Sequence, residues 1–164
     1  MRCKCEAFKP IELDRKSINA RIKESRTIKS CLHALAENSE LRITLFRCPE
    51  CGRFWQSGHE WNFGDVEYLF QVPEVEIAEW LREPYAQPAA MMIFSTMMRD
   101  SFQRSRLEEC SVPCRVEGCQ FMALRLSVFC RRHHIESLQK THRLPQKPVG
   151  RFFAPYYEEQ QLDQ

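Results

Sequence analysis

The sequence predicts an α+β fold, small and stapled by Cys and His side chains, with a β-hairpin knuckle and several helices. Three observations predict it. Residues 41–46 alternate apolar Leu41, Ile43 and Leu45 with polar Arg42 and Thr44, the period of a half-buried strand, and run into a C-P-E-C-G turn at 48–52. Apolar residues recur at helical spacing in segments 11–38, 73–83 and 88–107. Finally, the cysteines are gathered: Cys3 with Cys5, Cys48 with Cys51, and Cys114, Cys119 and Cys130 just ahead of His133 and His134.

The elements follow in order. Ile11, Leu13, Ile18, Ile22, Ile28, Cys31, Leu32 and Leu35, set among charges, predict two helices over 14–24 and 27–38, stopped by Asn38 and Ser39. The strand at 41–46 then delivers Cys48 to its turn, and Phe54, Trp55, Trp61 and Phe63 mark a second strand returning from it. Glu74 and Glu76 suit the first turn of a short helix whose apolar face is Val75, Ile77, Ala78, Trp80 and Leu81, and Pro84 ends it. Pro88 opens a longer helix that carries Met91, Met92, Met97 and Met98, which at this spacing read as core filler. Residues 130–141 read as a last helix, and Pro145, Pro148 and Pro155 mark an extended, poorly packed tail. The resulting division is 1–108 for a knuckle-bearing α+β domain, 109–144 for a second small module and 145–164 for the tail.

Composition bounds what such a chain does. With 164 residues and 43% hydrophobic content it is long enough for a true core. There is no basic leader followed by an apolar stretch, and the longest apolar run, 88–98, is broken by Ser95 and Thr96, so a signal peptide and a membrane span are not expected. The expected compartment is the cytoplasm, where thiols stay reduced and available to metal, and nine cysteines cannot all pair. The net charge of +2 is segregated: 12 bases against 7 acids in 1–53, 1 against 7 in 54–98, 11 against 5 in 99–151, and 3 acids alone in the last thirteen residues. Both Cys-rich regions are therefore basic and the stretch between them is acidic.

Groups of four thiolates and imidazoles are the donor sets of structural zinc, so two structural Zn²⁺ ions are expected. The first would be held by Cys3, Cys5, Cys48 and Cys51. Cys31 and His33 are an alternative pair, but on a helix two positions two apart point about 200° apart and do not face one ion. The second would be held by Cys114, Cys119, Cys130 and His133, with His134 or Cys110 as the open alternatives for the fourth ligand. C-P-E-C-G resembles one half of a zinc ribbon, although C-x-C departs from the second C-x-x-C that a ribbon carries. The C-x4-C then C-x-x-H spacing of the second group resembles short zinc modules. C-P-x-C-G followed by Phe54 and Trp55 is also similar to bacterial immunity-type zinc proteins, a resemblance that implies a non-enzymatic inhibitor of a basic protein.

Enzymatic chemistry is not expected. A catalytic zinc keeps an open position, whereas both groups offer four soft donors. H-E-x-x-H is absent, His134-x-Glu136 matches half of a deaminase signature with no P-C-x-x-C after it, and neither phosphate-cradling glycine motif occurs. The expected function is that of a protein-binding protein, of adaptor or immunity type, whose acidic and aromatic surface (Trp61, Asp65, Glu67, Tyr68, Glu74, Glu76) takes a basic protein partner. The alternative is a nucleic-acid-binding protein that uses the arginines of 99–151 with Phe152 and Phe153 stacking on bases. A subunit role, docking through the Met-rich helix and the tail, shares its site with the first reading.

Overall fold

The computed structural model describes residues 3–60, 64–154 and 156, and it is a mixed α+β protein. The chain forms two compact units, one of residues 1–92 with 148–155 and one of 93–147 with 156–164.

The first unit is built on an antiparallel meander. A 3-10 turn at Lys4–Ala7 and helix α1 at Arg15–Lys29 precede strands β1 (His33–Asn38), β2 (Ile43–Arg47), β3 (Phe54–Glu60) and β4 (Val66–Val72), which lie side by side in chain order. Helix α2 (Ile77–Arg82) packs against β1. Period-two alternation splits the apolar residues of the strands. Ile43, Leu45, Phe54, Tyr68, Phe70 and Val72 join Trp80 and Tyr85 in one cluster, while Phe46, Trp55 and Leu69 join Ile28, Cys5 and Cys48 in another.

α1 serves both clusters, Ile18 entering the first and Ile28 the second. It also closes a sheet edge. β4 is the last strand, so the outward N–H and C=O of Leu69 have no strand to meet; the N–H donates to Ser25 Oγ at 3.0 Å and the C=O accepts from the Arg21 guanidinium at 3.1 Å. Asp14 caps the helix by accepting from Ser17 N at 2.9 Å. α2 is fixed by Gln56, a buried side chain in β3. Its Oε1 accepts from Trp80 Nε1 (2.7 Å) and from Tyr85 N (3.0 Å), and its Nε2 donates to Tyr85 O (2.8 Å). Beside it the backbone of Gly58 lies so close to Gln87 Oε1 and the Tyr68 ring that no Cβ fits.

Three sequence expectations need correction. The second helix, expected over 27–38, is strand β1, since α1 ends at Lys29 with Ser30 as its cap and Ala34 and Ala36 pair with Phe46 and Leu45. Ala, Leu and Glu are helix formers, but a free edge on β2 decides the matter. β4 was not anticipated at all, because Tyr68, Leu69 and Phe70 are buried together and show no alternation. The tail is extended but not loosely packed. Arg151 N donates to Pro84 O, Arg151 O accepts from Ala86 N, and the Phe153 ring meets Phe70 and Tyr85, with Gly150 at φ +121 making the close approach. Trp61 and Phe63, expected on the returning strand, lie outside the described residues.

The second unit takes the C-terminal part of α3 (Pro88–Arg104), then β5 (Glu109–Pro113), β6 (Met122–Leu124) and α4 (Arg131–Lys140). Its cluster joins Phe94 and Met98 of α3 to Ile135 of α4 and to Leu144, with Phe102 and Leu138 at the margin and the Arg131 guanidinium over the Phe102 ring. Met91 and Met98 are core, as expected, while Met97 is exposed. Among the described residues, β5 and β6 pair with each other alone, and neither contributes to that cluster.

Candidate metal centres

The first centre is assembled by the meander. β2 ends just before Cys48, whose N–H donates to Arg53 O and whose C=O accepts from Gly52 N, both at 2.9 Å, so the chain turns around the thiol and returns as β3. Gly52 makes this turn at φ +74, a value that favours glycine. The N-terminal segment brings the other two ligands: Gln71 Nε2 of β4 donates to Cys5 O and Phe8 O, Arg21 donates to Lys9 O, and Phe8 meets the Trp55 ring edge-on. The result places Cys3 Sγ 3.4 Å from Cys48 Sγ and 3.3 Å from Cys51 Sγ. The four sulfurs, including that of Cys5, lie within 4.8 Å of one another. Cys5 and Cys48 are buried, Cys3 is half-buried and Cys51 is exposed.

The second centre sits at the foot of α4. Cys114 follows β5 and Cys119 ends a tight turn in which Gly118 takes φ +76. Cys130 caps α4, and His133 stands one turn in. His133 Nδ1 is 3.3 Å from both Cys114 Sγ and Cys130 Sγ, and Cys119 Sγ is 3.8 Å from Cys130 Sγ. Cys130 N donates to Cys114 Sγ at 3.2 Å. His134 points elsewhere, with its Nδ1 3.0 Å from Ser127 Oγ. Cys110, Cys31 and His33 belong to neither cluster, and among the described residues these two are the metal-competent groups.

Neighbouring groups decide which thiols ionise. Burial pushes Cys5 up, and three adjacent thiols add to the effect; the Trp55 indole N–H, which has no oxygen or nitrogen acceptor, works weakly the other way. At Cys48 burial also pushes up, but the amides of Cys51 and Glu50 and the neighbouring thiols outweigh it and bring the group to about 7. Cys114 is taken further, to about 6, by the amides of Cys130 and Val116 together with His133 and Cys119, again against burial. Each centre thus holds one thiol prepared to bind as a thiolate. Two clusters of four protein donors, two of them with depressed pKa values, are sites suited to a metal ion.

The expected partner surface fares differently. Tyr68 is fully buried, and its hydroxyl accepts from Ala89 N, so it belongs to the core and not to a contact surface. Phe70, Trp80 and Tyr85 are also core. Asp65 pairs with Arg42 at 3.0 Å and Glu67 with Lys29 at 2.7 Å, while Glu74 and Glu76 stand exposed. What sequence reasoning missed lies in the second unit. Val112, Phe121, Met122, Leu126 and Val128 are exposed on the β5–β6 module, Phe121 to 65% and Leu126 to 92%. A signal existed, since these five lie among ligands in a segment with too little interior to bury them.

No family model, no curated protein and no solved structure matches this chain, so the zinc-ribbon and immunity-type resemblances gain no support from comparison. No helix is long and apolar enough to cross a membrane among the described residues.

Proposed function

We propose that this chain is a protein-binding protein of adaptor or inhibitor type whose two centres hold structural Zn²⁺ and carry out no reaction. The observation that carries the binding reading is the apolar group on the β5–β6 module. One short segment seldom exposes this many large apolar side chains unless another protein covers them. Glu74 and Glu76, exposed on the first unit, suit a partner with basic character.

The donor chemistry supports zinc. Thiolates 2.3 Å from a tetrahedral ion lie about 3.8 Å apart, and the nearest sulfur pairs here are 3.3, 3.4 and 3.8 Å apart. Four protein ligands leave no position for water, and thiolate donation makes the ion a poor Lewis acid. The nucleic-acid reading has less support. Arg104, Arg125 and Arg132 pair with Asp100, Glu108 and Glu136, and Phe153 is packed beside Phe70 and Tyr85 instead of free to stack on bases.

The test places a photo-crosslinking residue at Leu126 and, as a control, at exposed Glu40, in the native host. A discrete protein adduct at 126, unchanged by nuclease and lost in Phe121→Ser/Val128→Ser, is the expected result. Adducts with nucleic acid, or equal adducts at both positions, would overturn the reading. Metal analysis of the purified chain should return two zinc ions per chain.

A further inference from the structure

Resting on the structural-zinc reading, we propose that the first centre is an oxidation site for small hydroperoxides, in which the sulfur of Cys51 attacks the peroxide and that of Cys3 resolves the product. Three observations converge on it. The two centres differ in access: Cys51 is exposed, whereas Cys114 and Cys130 are buried and Cys119 is half-buried. Cys51 opens onto a groove of about 310 Å³, also lined by Arg53, Gln71 and Glu74, with room for a peroxide many times over. And the half-buried Cys3 Sγ lies 3.3 Å from Cys51 Sγ, so a shift of little more than 1 Å reaches the disulfide length of about 2.05 Å.

The chemistry balances within that group. Cys51 Sγ attacks one oxygen of ROOH; the S–O bond forms, the O–O bond breaks, and the leaving alkoxide or hydroxide takes a proton, giving ROH and a sulfenic acid. Arg53 lines the same groove, with its guanidinium 3.5 Å from Glu6 Oε1, and supplies positive charge beside the oxygen that leaves as an anion. Cys3 Sγ then attacks Cys51 Sγ; the S–S bond forms, the S–O bond breaks, and hydroxide departs as water after taking a second proton. The two sulfurs lose two electrons and the peroxide gains them. Two of the four donors are thereby spent, and Cys5 and Cys48 alone no longer hold the ion.

The outcome is an exchange of ties. A covalent link between residues 48 positions apart takes over the metal's work of keeping the N-terminal segment on the knuckle. Oxidation therefore empties the centre without freeing the segment, whereas chelation under reducing conditions frees it. Among the described residues, Cys31 and Cys110 belong to no such cluster.

The test treats the zinc-loaded full chain with one equivalent of hydrogen peroxide, follows released zinc with a chromogenic chelator, and maps the cysteines by mass spectrometry. The expected result is release of one zinc at a rate at least about tenfold above the second, with a Cys3–Cys51 linked peptide that dithiothreitol reverses. Dimedone added to the wild-type chain should trap Cys51 before any other cysteine, and Cys3→Ser should accumulate that adduct; because the wild-type trapping needs no variant, failure of Cys3→Ser to load metal does not spare the proposal. First oxidation at Cys114, Cys119, Cys31 or Cys110, a Cys48–Cys51 link, or retention of both ions would overturn it while leaving structural zinc intact. A chain that purifies folded without zinc would instead remove the reading on which it rests.

Discussion

Replacing Cys130 with serine is expected to unfold the second metal module and leave the four-stranded sheet untouched. The magnitude follows from what the module buries. Between 109 and 130, only Ala123 and Leu124 are buried besides the ligands Cys114 and Cys130. Together these two contribute about 3 to 4 kcal/mol of apolar burial. Ordering 22 residues costs on the order of 20 kcal/mol of backbone entropy at about 1 kcal/mol each, so the module is not expected to stand without a bound metal. A structural zinc is worth about 10–16 kcal/mol, the size of term required. Hydrogen exchange read by mass spectrometry is the assay. The amides of Cys114, Arg115 and Leu124, bonded to Phe121 O, Val128 O and Phe129 O, should lose protection in Cys130→Ser, while 43–47, 54–59 and 66–72 keep theirs. Persistent protection of the first three would refute the claim that metal stands in for a core here.

Acid should separate the two centres. Cys48 and Cys114 are both depressed, so the stabilisation they bring is complete above the ordinary value of 9.0 and is lost as the pH falls through about 7 at Cys48 and about 6 at Cys114. Cys5, pushed up by burial, also makes the first centre the harder one to ionise, so titrating the zinc-loaded chain from pH 8 to 5 should release that ion first. Simultaneous release, or release from the second centre first, would count against this. Gln56→Leu should cost about 3 kcal/mol or more in urea unfolding with an unchanged m value, because it removes three buried hydrogen bonds, those of Gln56 with the Trp80 indole N–H and with the Tyr85 N–H and C=O. A loss under 1 kcal/mol would mean that these groups find other partners.

Both Cys/His clusters were legible in the sequence because the pairs that build them are written in local spacing. Cys48 and Cys51 are fixed by one turn, and Cys130 and His133 by one turn of a helix. The choice between His133 and His134 was not legible. Both lie on the same side of α4 relative to Cys130, and what separates them is Ser127, a loop residue that engages His134. Strands whose identity depends on a distant partner were lost for the same reason: β1 reads as helix until β2 is beside it, and β4 reads as an aromatic surface until α1 covers its edge. The error over Tyr68 follows directly, since an aromatic next to carboxylates looks like a contact surface when the strand's two faces are not known.

The two centres relate differently to the parts of the chain that hold them. Cys5 and Cys48 are members of an apolar cluster that also contains Ile28, Phe46, Trp55 and Leu69, so the first ion would join a terminal segment to a core that already exists. Such an ion would be replaceable, for any tie between Cys3 and the knuckle does the same work, and an exposed thiol at such a place threatens one tie and not the sheet. In the β5–β6 module an ion would have no such support, and Cys114 and Cys130 there are buried. The module's apolar side chains face outward because its interior is given over to donors. If the segment folds around an ion and not around its own side chains, Phe121, Leu126 and Val128 are left for the proposed partner, and metal dependence and partner binding should be lost together at 109–130 and independently of the first centre.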